Sequence, residues 1–285
     1  MVSRQILAIG IFLVYVNGHP FKKHYDSDPE SRIIGGVDAP EAYAPHMAAL
    51  VWGQSIKSLL CGGSIVTSMH ILTAAHCIDP MIVEGVLIPS FYAVVGSNQW
   101  ASDKTITRFK HYINHPNWDW VTIKNDIGVL CLTEELELND RMSTIPLSFD
   151  YVDGGLNSFV TGWGRVGIRI EDNVVNLFPI PDDLQLLYVE TISSEACADG
   201  LREAFEKYGY KAIPPLVSEI ELCTFHSIGH GMCNGDSGNA LVSKESGYQI
   251  GVVSWGLACA VGAPDVFARV SAYKDFLLSI LKNYL

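Results

Sequence analysis

From residue 33 onward the chain is written in short apolar runs: MAALVW, GSIVTSMHILTAA, FYAVVG, DIGVLCL, NSFVTGWG, LQLLYVETI, QIGVVSWG and DVFARV. Glycine, proline, asparagine and aspartate separate most of them. Such runs read as strands, and a series of them as an all-β domain and not a helical bundle. The 285 residues are 48% hydrophobic, with 25 Gly and 13 Pro, enough to bury a large core in one domain or two lobes. One convincing helix closes the chain: in SAYKDFLLSILKNYL, Tyr273, Phe276, Leu277, Ile280 and Leu281 recur at helical spacing, with Ser271 as the N-cap. Its apolar face is expected to dock on the body of the protein. A second helix is expected over residues 201–209, ending at Gly209.

The N-terminus has a different texture. Arg4 precedes the apolar run ILAIGIFLVYV, and Gly18 follows it, which is the layout of a secretory signal peptide over residues 1–18. A spanning helix needs about 20 apolar residues, so a membrane anchor is the poorer reading. Residues 19–32 are polar and aperiodic and read as a linker or propeptide outside the core. Export places the 7 cysteines in an oxidising compartment, where disulfides are the default. No N-glycosylation sequon occurs. The net charge is −12 and the 19 basic residues form no run, which argues against a nucleic-acid partner.

Three motifs carry chemistry. LTAAHC places His76 before Cys77, NDIGVL places Asp126 at the head of an apolar stretch, and GDSG contains Ser237. In this order they resemble the chymotrypsin-like (trypsin fold) serine proteases. IIGG at Ile33, CGGS at Cys61, TGWG at Thr161 and SWG at Ser254 match in sequence order too, so the resemblance covers residues 33–285. It implies two six-stranded antiparallel β-barrels with a C-terminal α-helix, a monomer, and acyl transfer on protein or peptide substrates with no cofactor. Ser237 would be the nucleophile, His76 its base, and Asp126 the group that holds the imidazole tautomer. Backbone N–H groups of Gly235 and Ser237 would bind the oxyanion. An activating trypsin-like protease would cut after Arg32, and the ammonium freed at Ile33 would pair with Asp236. Protein inhibitors are further expected partners. Digestion in a gut lumen, venom action and signalling all use this scaffold.

Six cysteines match family positions, implying Cys61–Cys77, Cys197–Cys223 and Cys233–Cys259 and leaving Cys131 over. The implied S1 pocket comprises Gly231, Ser254, Trp255, Gly256 and Asp265. Gly231 lacks the acid that trypsin-like members carry, which favours large apolar or aromatic P1 residues. Asp265, where glycine is common, leaves cleavage after Arg or Lys as an alternative. Ser254–Trp255–Gly256 would offer an edge strand to the substrate backbone. A catalytically silent binding protein on the same fold is the rival from another class. Asn239 and Ala240 replace the usual glycine and proline behind the nucleophile. Residues 166–181 and 199–221 look like long surface loops. Two histidine pairs, His111/His115 and His226/His230, have i, i+4 spacing. Pro116 and Gly229 argue against helices there, and GSNQWASD offers only Asp103 to calcium, so no metal is expected.

Overall fold

The computed structural model describes residues 33–102, 105–171, 174–210, 212–257, 259–282 and 284. The expected signal peptide, the expected propeptide with Arg32, and Asp103 lie outside the described residues. The first barrel is built from β1 (Met47–Trp52), β2 (Ser58–Thr67), β3 (His70–Thr73), β4 (Phe91–Val95), β5 (Ile106–Asn114) and β6 (Gly128–Leu132). Its strands close in the order β1-β2-β3-β6-β5-β4. The second uses β7 (Asn157–Gly162), β8 (Gln185–Ile192), β9 (Glu221–Phe225), β10 (Ala240–Ser243), β11 (Gln249–Gly256) and β12 (Asp265–Arg269). It closes as β7-β8-β9-β12-β11-β10, the same order as the first, and every pairing is antiparallel.

Strand β1 shows why its sequence is apolar without alternation. Ala48 and Leu50 point into the first barrel with Ile65, Ile71 and Leu130. Met47, Ala49 and Val51 point the other way, onto Trp163, Leu184 and Leu186 of the second barrel's side. Both faces of the strand are therefore buried, one in the barrel and one between the barrels. The second barrel fills with Val160, Leu187, Leu241, Val253 and Phe267.

Among the described residues, three α-helices complete the fold. α1 (Ala75–Ile78) follows β3 and carries His76. α2 (Ser194–Lys207) begins earlier than the expected 201–209 helix, because Ser193 Oγ accepts the Ala196 N–H at 3.2 Å as an N-cap. It ends as expected at Gly209, which stands in the left-handed region at φ 74°. There the Gly209 N–H reaches Glu206 O and the Tyr210 N–H reaches Phe205 O, a Schellman closure. The first part of the expected 199–221 loop, through Lys207, is thus helix, and residues 166–181 contain a short hairpin, Ile168–Glu171 with Val174–Leu177. α3 (Lys274–Leu281) buries Leu277 and Leu281 as its periodicity predicts. Ser271 does not cap it: a 3-10 turn, Val270–Tyr273, intervenes, and Tyr273 holds the cap position with no side-chain bond.

Candidate active site

His76 and Asp126 arrive at the same end of the first barrel, where Thr73 at the end of β3 pairs with Gly128 at the start of β6. α1 leaves β3 with its helix tied back to β2 by the Cys61–Cys77 disulfide. Asp126 stands just ahead of β6. The His76 Nδ1 lies 2.7 Å from Asp126 Oδ2, and the His76 backbone N–H donates to Asp126 Oδ1 at 2.9 Å. From the second barrel, Ser254 Oγ donates to Asp126 Oδ2 at 2.5 Å. Burial alone would lower the His76 pKa, but the charge and hydrogen bond of Asp126 outweigh it and raise it. Burial would likewise raise Asp126, and His76 and Ser254 together hold it below the usual carboxylate range. The aspartate therefore stays ionised and favours the tautomer with its proton on Nδ1, leaving Nε2 to accept one.

Ser237 sits in the loop before β10, half-buried, with its carbonyl accepting the Gly62 N–H at 2.8 Å. Among the described residues no hydrogen bond joins Ser237 Oγ to His76; the Nε2 has the bridged Cys77 Sγ at 3.7 Å instead. Such bonds commonly tighten only when substrate is bound. The N–H groups of Gly235 and Ser237 donate to no protein acceptor among the described residues. Gly235 has φ 103°, a left-handed conformation that disfavours any side chain. Asn239 does not adopt the left-handed backbone for which asparagine is suited; Gly238 takes it, with φ 82°. The Asn239 side chain is buried between Gly62 and Gly162, with its Nδ2 3.5 Å from Asp236 Oδ1.

Two more carboxyls lie beneath this loop. Asp236 accepts the Gly164 N–H at 2.8 Å and the Cys233 N–H at 3.0 Å, and burial pushes its pKa up to about 6. Among the described residues no basic group pairs with it. Ile33 is fully buried against Val160, Leu187 and Met232, and Ile34 bridges to Gly231. Asp265, at the start of β12, turns its Oδ2 to the Met232 N–H at 3.1 Å. A Cβ on Gly231 would stand 2.9 Å from that same oxygen, so the carboxyl lies over the glycine. Gly256 pairs directly with Asp265 across the β11–β12 ladder. Burial pushes the Asp265 pKa up to about 8, with the neighbouring Asp236 adding to the rise.

The Trypsin family model matches residues 33–277. The chain belongs to the trypsin family of serine proteases. It is 29% identical over 246 residues to Chymotrypsin-2 of Vespa crabro, covering 86% of this chain and 98% of that one. It is 31% identical over 251 residues to Trypsin beta of Drosophila erecta, covering 88% of each. With Trypsin V-A of Rattus norvegicus it shares 30% over 252 residues, 88% of this chain and 89% of the relative. The protein is accordingly a serine endopeptidase, a hydrolase of the chymotrypsin-like class.

The remaining expected groups also have places. Cys197–Cys223 joins α2 to β9, and Cys233–Cys259 joins the serine loop to the segment after β11. Cys131 is a buried free thiol in β6, its pKa raised by that burial. His111 lies in strand β5, and His115 packs against the rings of Tyr273 and Phe276. His226 and His230 stack at 4.3 Å, with both Nδ1 atoms on Ser227 Oγ. The close grouping Cys61, His76 and Cys77 spends both sulfurs in a disulfide and offers no thiolate to a metal. Sequence reasoning missed Lys124 and Glu221, charged groups buried behind the site. A charge heading an otherwise apolar strand was the available signal. Among the described residues no helix is long and apolar enough to cross a membrane.

Proposed function

We propose that this serine endopeptidase is secreted as a zymogen and runs acyl transfer through Ser237, His76 and Asp126. The observation that carries the reading is the His76–Asp126 pair, closed by Ser254 beside a loop with two unengaged N–H groups. Ser237 Oγ attacks the scissile carbonyl carbon while its proton passes to His76 Nε2. The oxyanion is held by the N–H groups of Gly235 and Ser237. His76 then protonates the leaving amine as the C–N bond breaks, giving an acyl-enzyme. Water, deprotonated by His76, repeats the attack and restores Ser237.

The pocket reading is a preference for large apolar or aromatic P1 residues. Gly231 and Gly256 bring no side chain of their own to it, and the protonated Asp265 carboxyl lying over Gly231 presents no charge at neutral pH. The same carboxyl supports the second reading, cleavage after Arg or Lys, once it ionises. Cleavage after Arg32 is proposed to activate the enzyme, and the signal-like N-terminus with three disulfides supports secretion.

A serine-directed fluorophosphonate is expected to label the Arg32-cleaved enzyme at Ser237 and to leave Ser237→Ala unlabelled. In the family's template, losing a triad member leaves about 10³–10⁴-fold rate enhancement over water. A cleaved enzyme that takes no label would instead be a binding protein on this fold.

A further inference from the structure

Behind the proposed site, the two barrels are joined by a buried ion pair. Lys124 and Glu221 are 8% and 3% exposed, and Lys124 Nζ donates to Glu221 Oε1 at 2.7 Å. Lys124 belongs to the segment that carries Asp126 and feeds β6 of the first barrel, whereas Glu221 opens β9 of the second. The same Glu221 Oε1 accepts the indole N–H of Trp255 at 2.7 Å, and Oε2 accepts the Val217 N–H at 2.7 Å. Lys124 Nζ also stands over the Trp255 ring, 4.7 Å from its centroid. The indole is thus held at its edge by an anion and on its face by a cation.

What this clamp controls follows from where Trp255 sits. Its neighbour Ser254 donates to Asp126. Residues 254–256 run past the end of β10, whose pairing with β11 stops at Val252. Their other side is bonded to β12 through Trp255–Val266 and Gly256–Asp265. One backbone edge of residues 254–256 is therefore open to an added strand, the geometry by which an extended peptide is received. Stability alone does not account for the ion pair, because well-packed apolar residues of similar volume commonly do as well as a buried pair. An apolar pair, however, could not accept the indole N–H or fix the ring plane.

We propose that Glu221, held by Lys124, is a positioning residue that sets Trp255 and hence the open edge of residues 254–256. Its effect is on the backbone of extended substrates and not on the P1 pocket. The inference rests on the peptidase reading above and deepens it.

The test compares two substrates of the activated enzyme sharing P1 Phe: a single-residue ester and a tetrapeptide amide. The quantity read is the ratio of their kcat/KM values. In the double variant Lys124→Met, Glu221→Leu, which removes both charges together with the indole's acceptor, this length advantage should fall about tenfold, a loss of about 1.4 kcal/mol. Most of the loss should lie in the tetrapeptide's KM, with ester turnover retained. Glu221→Asp keeps the charge on Lys124 but withdraws the carboxylate by one methylene; it should show the same selective loss, smaller. It keeps the test open if the double variant fails to fold. A folded variant with the wild-type length advantage overturns the proposal, as does an equal loss on both substrates, the mark of a purely structural pair. Wild-type enzyme inactive on both substrates would instead refute the peptidase reading, separately from this one.

Discussion

Asp265 is a buried carboxyl whose charge state bears on the proposed P1 preference. Its carboxyl lies over Gly231 with a single N–H donor, from Met232, so removal from water dominates its titration. With the pKa pushed up to about 8, the group is neutral below that pH and anionic above it. The kcat/KM ratio for P1 Arg over P1 Phe should therefore rise between about pH 7 and pH 9. Taking the ratio cancels the titration of His76, which both substrates share. Asp265→Asn should flatten the profile at the low-pH value. A pH-independent ratio in the wild type would show that the carboxyl does not meet the substrate cation. The residue's identity was readable in the sequence, but the direction of its side chain was not.

At the scale of elements, α2 offers a clean measurement. Its first turn rests on Ser193 Oγ, its last on the Schellman closure, where the Phe205 and Tyr210 rings meet at 5.3 Å. Ser193→Ala should cost about 1 kcal/mol. In a chain of this size that lowers Tm by about 2–4 °C. Peptidase activity at room temperature should be retained. An unchanged Tm in a calorimetric scan would mean that the Cys197–Cys223 bridge alone holds the helix start. The elements differed in how visible they were from sequence. β1 and α3 were plain, because their burial writes an apolar run or a helical stripe directly into the residues. β5 was not: Thr107 is its single buried residue, and Arg108 and Lys110 interrupt any pattern. That strand is held by backbone pairing to β4 and β6 on both sides. Such bonds leave no signature in side-chain hydropathy.

For the whole molecule, two barrels of identical strand order meet along a seam that contains every proposed catalytic group. Ser64 Oγ to Gln249 Oε1 at 2.7 Å is one further tie across it. Asp236 lies at this seam with two N–H donors and a pKa pushed up to about 6 by burial, an acid suited to receive a cation. Cleavage after Arg32 should therefore raise kcat/KM, and acetylating the freed Ile33 amine should reverse the gain. Equal activity before and after cleavage would refute activation by that ammonium. The repeated strand order left no trace as a sequence repeat, because closure of a barrel constrains burial and not residue identity. By itself the sequence determined the strand-rich fold, the three motifs and the cysteine set, since local patterning and short motifs are written in neighbouring residues. Only the tertiary structure decided that Ser254 bonds Asp126, that Asp265 faces Gly231, and that Lys124, Glu221 and Trp255 share one oxygen. Those partners lie far apart along the chain, and barrel closure is what brings their charges into the same dry space.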